Sequence, residues 1–204
     1  MKIGPKYKIC RRLGERVFSK CQTTKFSISG SENSKINPSR GGSRGGRGRG
    51  GSEYGSQLIE KQKARYSYGI SEHQFARYVK EQKSEDNLFR ALESRLDNVI
   101  FRLGWVRSRA AGRQVVTHGH ILVNNRRALS PSCRLRVGDK ITIRPASREK
   151  PIFRDLVEQL KDVTPPVWLA VAEAGQAAVA AAPARAAGEL NLNFGAIVDF
   201  YSRV

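Results

Sequence analysis

Apolar residues recur at helical spacing through residues 53–92, with charged residues of both signs between them. This periodicity predicts amphipathic helices whose outer faces are solvated. Gly69 is a predicted end of the first helix, and Ser71 with Glu72 a predicted start of the next. One helix face carries Leu58, Gln62, Arg65 and Tyr66, and the later apolar positions are Phe75, Tyr78, Val79, Leu88, Phe89 and Leu92.

Two shorter helical patterns follow, at 94–104 and 108–119. In the first, Ser94 and Asp97 fit a capping box and Gly104 suits the C-terminal end. In the second, Ser108 is the predicted cap and Gly119 the predicted end, with Ala111, Val115 and Val116 facing inward. The apolar positions of the first helix fall at i, i+3, i+4 and i+7, which gives one buried stripe: Leu96, Val99, Ile100 and Leu103.

The hydrophobic pattern then changes to short strand-like runs at 121–123, 133–137 and 140–144. Asn124-Asn125 tolerates the positive φ of a tight hairpin, and Gly138-Asp139 is a second turn signal. The pattern from residue 94 onward therefore predicts two helices followed by a small antiparallel sheet.

The C-terminal part of the chain has weaker patterns. Residues 155–169 fit another helix, stopped by Pro165-Pro166. Residues 170–187 are alanine-rich with few large apolar residues, so we expect them to be the least ordered part of the C-terminal half. Residues 190–201 regain apolar character, and we expect them to pack on the helical part.

Charge is distributed unevenly along the chain, which has 37 Lys and Arg against 18 Asp and Glu and a formal net charge of +19. Residues 1–51 and 94–150 carry most of the excess, whereas residues 155–204 are slightly acidic. A charge this high favours a polyanionic partner, because each neutralised phosphate releases a counterion. RNA or DNA is the first candidate and an anionic membrane a weaker one. No apolar run reaches the ~18 residues of a membrane span.

The segment 38–51 reads PSRGGSRGGRGRGG. Glycine at this density is too costly to fix in a helix or strand, so one interpretation is a flexible linker. The other is a basic tether that becomes ordered on RNA, and the charge of Arg44, Arg47 and Arg49 favours it.

Neither metal binding nor catalysis is indicated. Cys10, Cys21 and Cys133 include no CxxC pair, and His118 and His120 have no nearby carboxylate, so we expect no metal ligands. No nucleophile elbow and no phosphate-binding loop is present, so we expect no catalytic residues, no cofactor and no enzyme.

The basic helix and sheet region carries the strongest functional signal. Arginine binds phosphate well because its planar fork can bond two oxygens, and acids are scarce here. A merely soluble basic surface is the alternative. We predict RNA contacts in this region, at two residues of the N-terminal segment and at three residues of the Gly/Arg run. The full set is Arg11, Arg12, Arg44, Arg47, Arg49, Arg107, Arg109, Arg113, Gln114, His118, His120, Asn124, Arg126, Arg127 and Arg134.

The stretch 94–144, with RQVVTHGHILVN followed by PS and VGDKI, closely resembles the RNA-binding domain named after small-subunit ribosomal protein four. The flanks EYGSQLIEKQKARYSYGISEHQF, GPKYKICRR and IVDFYSRV are similar to the bacterial-type ribosomal protein four (uS4) family itself. The chain departs from the family in three places. Tyr7 and Cys10 stand where zinc-binding members have CxxC, and Asn125 stands where the family usually has glycine. The alanine-rich segment is also unusual for the family.

This resemblance implies an α+β fold with a basic N-terminal arm at 1–51, a helical domain from 52–93 and 155–204, and an inserted α/β RNA-binding domain at 94–154. It also implies direct binding to 16S-type ribosomal RNA in the cytoplasm of a bacterium rather than in an organelle. The family members nucleate small-subunit assembly, contribute to translational accuracy, contact neighbouring proteins five and three, and in some bacteria bind their own messenger RNA.

Two rival functions remain open. An RNA-modifying enzyme can use this RNA-binding domain as a substrate clamp, but it needs a further catalytic domain. A free RNA chaperone or heat-shock type protein can also carry it, but the helical flanks favour the ribosomal protein.

Overall fold

The computed structural model describes residues 3–23, 26, 28, 52–154, 160, 164–173, 175–184 and 192–203. They fall in two compact units, Met1–Glu81 with Asn191–Val204 and Gln82–Leu190. These limits differ from the predicted domain boundaries at 93/94 and 154/155. The difference arises because a helix before residue 94 and a strand pair after residue 155 belong to the second unit.

The first unit is helical. Helix α1 (Lys6–Leu13) lies in the basic N-terminal segment, where no helix was predicted, and it ends at Gly14 with φ +69°. Helix α2 (Glu53–Tyr68) begins where the Ser52 hydroxyl accepts a hydrogen bond from Gly55 N, and it ends at Gly69 as predicted. Helix α3 (Glu72–Gln82) follows Ser71, which confirms the second predicted start.

The C-terminal segment packs on α2, as predicted from its apolar character. Helix α8 (Phe194–Ser202) is capped by Asn193, whose Oδ1 accepts from Ala196 N at 3.0 Å. The rings of Tyr54 and Phe200 lie 5.2 Å apart, and the Lys61 ammonium lies 4.4 Å from the Phe200 ring centre. A smaller apolar cluster around α1 contains Cys10, Phe18, Cys21 and Phe26.

The second unit combines helices with one sheet. Its helices are α4 (Glu85–Glu93), α5 (Leu96–Arg102), α6 (Arg109–Thr117) and α7 (Pro151–Arg154). Its strands are β1 (Ile121–Val123), β2 (Arg126–Arg127), β3 (Lys140–Ile143), β4 (Leu169–Glu173) and β5 (Gln176–Val179). The described strands form an antiparallel sheet in the order β2-β1-β3-β5-β4.

The core of this unit lies between α5, α6 and the sheet. The predicted stripe of α5 is confirmed, since Leu96, Val99, Ile100 and Leu103 are all fully buried. They pack with Val115 and Val116 of α6 and with Ile121, Ile141 and Ile143 of the sheet. The helices and the antiparallel sheet confirm the predicted α+β class.

The two predicted turns of the sheet are confirmed. Asn124 and Asn125 have φ of 50° and 64° and connect β1 to β2. Gly138 has φ +93°, and Arg136 N donates to the Asp139 carboxylate at 2.7 Å. Residues that tolerate a positive φ thus stand where the chain reverses direction.

Three predicted elements differ from the structure. Residues 133–137 form no strand beyond an isolated bridge between Arg134 and Arg95, and the strands that pair with β1 are β2 and β3. The predicted helix at 155–169 is wrong for its last six residues, because 164–168 are not helical and Leu169 begins β4. Residues 155–159 and 161–163 lie outside the described residues.

The third error concerns the alanine-rich segment 170–187. It was predicted to be the least ordered part of the C-terminal half, but it contains most of β4 and all of β5. Strand β5 pairs with β3 and buries Ala177 and Val179 on one face, with Ile141 opposite Ala177. Gly175, at φ +86°, lies between the two strands. Alanine's helix propensity is weak compared with the gain from pairing with an existing sheet and covering a core.

Candidate nucleic-acid interface

Helices α5 and α6 lie in close contact. The Ser108 hydroxyl accepts from Ala111 N at 3.2 Å and begins α6, and Gly119 follows its end with φ +70°, as predicted. A Cβ placed on Gly112 would lie 2.6 Å from the Asp97 carbonyl oxygen of α5. Only glycine therefore permits this approach, which places the basic side chains of α6 beside the N-terminal turn of α5.

The carboxylate of Asp97 joins the two helices. It accepts hydrogen bonds from Arg95 at 2.9 and 3.1 Å and from Arg113 at 2.9 and 3.3 Å. Asp97 is therefore not part of a capping box with Ser94, whose hydroxyl instead donates to the Ala91 carbonyl. The N-cap of α5 is Arg95, which has no capping side-chain bond. Asp97 pairs with Arg95 and does not form the predicted cap with Ser94, because both charged side chains are buried and a buried charge without its partner is costly.

A second buried carboxylate, Glu93, continues the network. It accepts from Asn98 Nδ2 at 2.9 Å and from Arg102 at 2.8 and 3.0 Å. Asn98 Oδ1 in turn accepts from Arg109 Nε at 2.7 Å, and the Arg109 guanidinium lies 4.5 Å from the Phe101 ring centre. Arg109 and Arg113, both predicted to contact RNA, are thus half-buried and oriented by protein groups.

The end of α6 and the start of the sheet bring together His118, His120 and Arg127. Arg127 Nη2 donates to the His118 carbonyl at 3.2 Å, and its guanidinium covers Gly119, where any Cβ would overlap it. The two histidine rings are 5.9 Å apart. His120 Nδ1 lies 3.0 Å from Ser147 Oγ. Three of the predicted RNA contacts are therefore neighbours in the structure.

The pKa of His120 is lowered from its usual value, first by burial and then by surrounding positive charges. Those charges come from Lys150, His118, Arg127 and Arg144. Arg144 and Lys150 are exposed and were missing from the predicted RNA contacts. The signal that could have found them is the basic run RPASREK at 144–150.

Asn124 has a clear role inside the protein. Its Nδ2 donates to Asp139 at 2.8 Å, and its Oδ1 accepts from Lys140 N at 2.9 Å. The side chain thereby ties the first hairpin turn to the beginning of β3. Its predicted contact with RNA stays a prediction.

The other predicted contacts divide between the two units. Arg107, Gln114, Arg126 and Arg134 are exposed on the second unit, and Arg11 and Arg12 are exposed on α1 of the first. Arg44, Arg47 and Arg49 lie outside the described residues.

Comparison with known proteins agrees with this arrangement. The family model described as "Ribosomal protein S4/S9 N-terminal domain" matches residues 1–96, and the model "S4 domain" matches residues 94–141. The chain is 43% identical to the small ribosomal subunit protein uS4 of Pelotomaculum thermopropionicum, with 98% of both chains covered. It is 41% identical to uS4 of Heliobacterium modesticaldum, again over 98% of both chains.

The chain belongs to the uS4 family. Its relatives include uS4 of Roseiflexus castenholzii, 43% identical over 98% of both chains. Proteins of the uS4 family are structural components of ribosomes rather than enzymes, and the S4 domain is an RNA-binding domain. The predicted family is therefore confirmed.

The N-terminal cysteines of this uS4 chain are buried together in the apolar cluster of α1. Burial, followed by a hydrogen bond with Cys10, raises the pKa of the Cys21 thiol to about 11. Cys21 Sγ also donates to the Lys6 carbonyl. Within the part of the chain that the structure describes, no group of three or more His, Cys, Asp or Glu residues is arranged to hold a metal ion. The same residues include no helix long and apolar enough to cross a membrane.

Proposed function

We propose that this chain binds the 16S-type RNA of the small ribosomal subunit directly through the basic surface of its second unit, with a further contribution from α1. The observation that carries the proposal is a division among the arginines of that unit. Arg95, Arg102 and Arg113 pair with the buried carboxylates of Asp97 and Glu93. Five exposed cations of the same unit have no carboxylate partner among the described residues: Arg107, Arg126, Arg127, Arg144 and Lys150.

Unpaired cations on a rigid support suit a phosphate backbone. Folded RNA hides its major groove, so proteins recognise it largely through phosphates, 2′-hydroxyls and shape. The buried pair of Arg113 with Asp97 holds α6 on α5, and both helices pack on the sheet whose strand β2 carries Arg126 and Arg127. A preorganised surface loses less side-chain entropy on binding.

The finer parts of the proposal rest on family membership. We infer that the chain joins the small subunit early in assembly, contributes to translational accuracy, and contacts neighbouring proteins five and three. Binding to its own messenger RNA is a further inferred activity. A bacterial ribosome in the cytoplasm is the inferred location, which the bacterial origin of the relatives supports.

The test is footprinting of purified chain on full-length 16S-type ribosomal RNA. Backbone protection confined to one multi-helix region is the expected result. Uniform weak protection along the RNA would contradict specific binding. Sedimentation of cell extracts separates the proposal from a free RNA chaperone, because a chaperone would be missing from the small-subunit peak.

A further inference from the structure

His120 lies within a group of positive charges on the second unit. It precedes β1, and its carbonyl oxygen accepts a hydrogen bond from Arg144 N at 2.9 Å, which places the end of β3 beside it. The charges that act on its ring come from four residues, all of them exposed: Lys150, His118, Arg127 and Arg144. His120 itself is half-buried. These four residues and His120 are called the His120 cluster below.

The turn that follows β3 is folded back onto the His120 ring. Ser147 N donates to the Arg144 carbonyl at 2.8 Å, and Lys150 N donates to the Ser147 carbonyl at 3.1 Å. Phe153 of α7 then packs edge-on against the imidazole, with the ring centres 6.2 Å apart. These contacts fix the backbone from which the Arg144 and Lys150 side chains extend.

The other cations of the cluster are held from the opposite side. Arg127 Nη2 donates to the His118 carbonyl at 3.2 Å, and the Arg127 guanidinium lies over Gly119, where any Cβ would overlap it. The His118 ring lies 5.9 Å from the His120 ring. The fold therefore brings like charges together before any ligand is bound, and like charges at short range repel one another. An anion placed among them would relieve that repulsion.

The two ring nitrogens of His120 have different surroundings. Nδ1 lies 3.0 Å from the hydroxyl of Ser147, which is buried. Nε2 has no hydrogen-bond partner among the described residues and is not one of their enclosed unpaired atoms, so a ligand can reach it. A hydroxyl can donate to a neutral imidazole or accept from a protonated one. Ser147 can therefore pair with Nδ1 in both protonation states, and a protonated ring keeps an Nε2–H for a ligand oxygen.

We propose that the His120 cluster binds one backbone phosphate of the ribosomal RNA and that His120 takes up a proton as the phosphate binds. The proposal rests on the RNA binding inferred above and adds a defined phosphate site whose affinity depends on pH. Exposed cations that surround an accessible imidazole nitrogen suit a compact anion, because charge-assisted hydrogen bonds to phosphate are strong. The imidazole gains one proton from solvent, so that both ring nitrogens carry hydrogen, and no covalent bond between heavy atoms changes.

The sign of the pH dependence follows from the two states of His120. In the free protein, burial and the four surrounding cations lower its pKa below the usual 6.5. A bound phosphate favours the charged ring, and an opposite charge at close range typically raises a histidine pKa by about 1–3 units. Between these two pKa values the complex holds more protons than the free chain, so RNA affinity rises as pH falls. Below the lower pKa the ring is protonated in both states and the rise ends.

The test measures affinity for full-length 16S-type ribosomal RNA at pH 7.5, 6.5 and 5.5 and constant salt. We expect the wild-type affinity to rise roughly tenfold across this range, and by no more than about tenfold per pH unit because one proton is involved. His120→Gln, whose side chain is polar but does not titrate, should flatten the rise. His73→Gln, at an exposed position of α3 in the first unit, should retain it and controls for effects of pH on the RNA.

Calorimetry in two buffers with different ionisation enthalpies counts the protons taken up on binding. At pH 6.5 the wild type and His73→Gln should each take up a large fraction of one proton, and His120→Gln almost none. Lys150→Gln is a second variant that leaves the imidazole and its packing intact. It should reduce the slope of log affinity against log salt by about 0.7–0.9. It should also take up fewer protons, because the free His120 is then already more protonated.

The outcomes separate the two levels of inference. If the wild type binds the RNA with an affinity that stays constant or falls from pH 7.5 to 5.5, the phosphate site proposed at His120 is wrong and the proposed RNA binding stands. Equal proton uptake by the wild type, His120→Gln and Lys150→Gln would assign the proton to another group and also overturn the proposal. If the wild type does not bind the RNA at any pH, the proposed function itself fails.

Discussion

Arg113 donates two hydrogen bonds to a single carboxylate oxygen of Asp97, at 2.9 Å from Nη2 and 3.3 Å from Nε. Asp97 is 2% exposed, whereas 35% of the Arg113 side chain is exposed. Arg95, which is 1% exposed, binds the same carboxylate. The buried Asp97 carboxylate therefore neutralises the buried Arg95 and also orients Arg113, whose side chain reaches the surface.

Replacing Asp97 with Asn should destabilise the second unit strongly. The change leaves Arg95 buried without its counter-charge, and breaking a buried pair from one side typically costs about 3–5 kcal/mol. Urea unfolding measures the loss. Asp86→Asn, an exposed change in the first turn of α4, should cost less than about 1 kcal/mol. Equal effects of the two substitutions would show that the Asp97 network contributes nothing to stability.

Removing exposed arginines should change RNA binding without changing stability. Arg107→Ala with Arg126→Ala removes two unpaired surface cations. Each lost phosphate contact should reduce the slope of log affinity against log salt by about 0.7–0.9. Exposed substitutions usually alter stability by no more than about 0.5 kcal/mol. Titrations at several salt concentrations provide the measurement.

The matched control for this salt experiment is Arg90→Ala, an exposed arginine on α4 of the same unit. Its slope should equal that of the wild type. An unchanged slope in the double variant would place the phosphate contacts elsewhere, with α1 as the next surface to test. Arg113→Ala is a poorer probe because it also breaks the Asp97 pair.

The close approach of α5 and α6 makes Gly112 a sensitive position. Gly to Ala in a helix normally stabilises by roughly 0.5–1 kcal/mol. Here the new Cβ would lie 2.6 Å from the Asp97 carbonyl oxygen, so the helices must separate. We expect Gly112→Ala to lower the melting temperature. Ala110→Gly, the reverse change at an exposed position of α6, should lower it only by its propensity cost. A rise in melting temperature for Gly112→Ala would contradict the predicted clash.

Local patterns account for the parts of the fold that the sequence predicts correctly. The stripe from Leu96 to Leu103 and the ends at Gly69 and Gly119 depend on residues within one or two turns. Asn124-Asn125 likewise encodes a turn in two adjacent positions. Such signals need no knowledge of distant contacts.

The errors concern residues whose environment is created by distant segments. Asp97 is adjacent to a helix start, but its partner Arg113 lies sixteen positions away. Ala177 forms a strand because Ile141 lies opposite it in the sheet. Gln62 and Tyr66 were correctly predicted to share a face of α2, and both line a cavity between α2 and α1. The cavity exists only because α1 packs beside that face. Tertiary contacts decide these cases against local propensity.

The three cysteines should differ sharply in reactivity. Cys133 is exposed, whereas Cys10 and Cys21 are buried and the pKa of Cys21 is raised to about 11, chiefly by burial. The thiolate is the reactive form, so iodoacetamide at pH 8 should modify one thiol rapidly in the folded chain and the other two only after unfolding. Mass spectrometry counts the adducts. Cys133→Ser should abolish the rapid reaction, and equal rates at all three cysteines would contradict their burial.

His120 should make stability depend on pH between about 7.5 and 5.5. Its folded-state pKa is lowered below the usual 6.5, first by burial and then by Lys150, His118, Arg127 and Arg144. The unfolded chain therefore binds the proton more tightly, so the free energy of unfolding falls as pH drops through 6.5 toward the folded pKa. His120→Gln should remove this part of the pH dependence, while His73→Gln, at an exposed position of α3, should retain it. Urea unfolding at pH 7.5, 6.5 and 5.5 measures the difference. If the wild type and His120→Gln lose equal stability across this range, the acid sensitivity comes from other groups and the cations around His120 do not act on it.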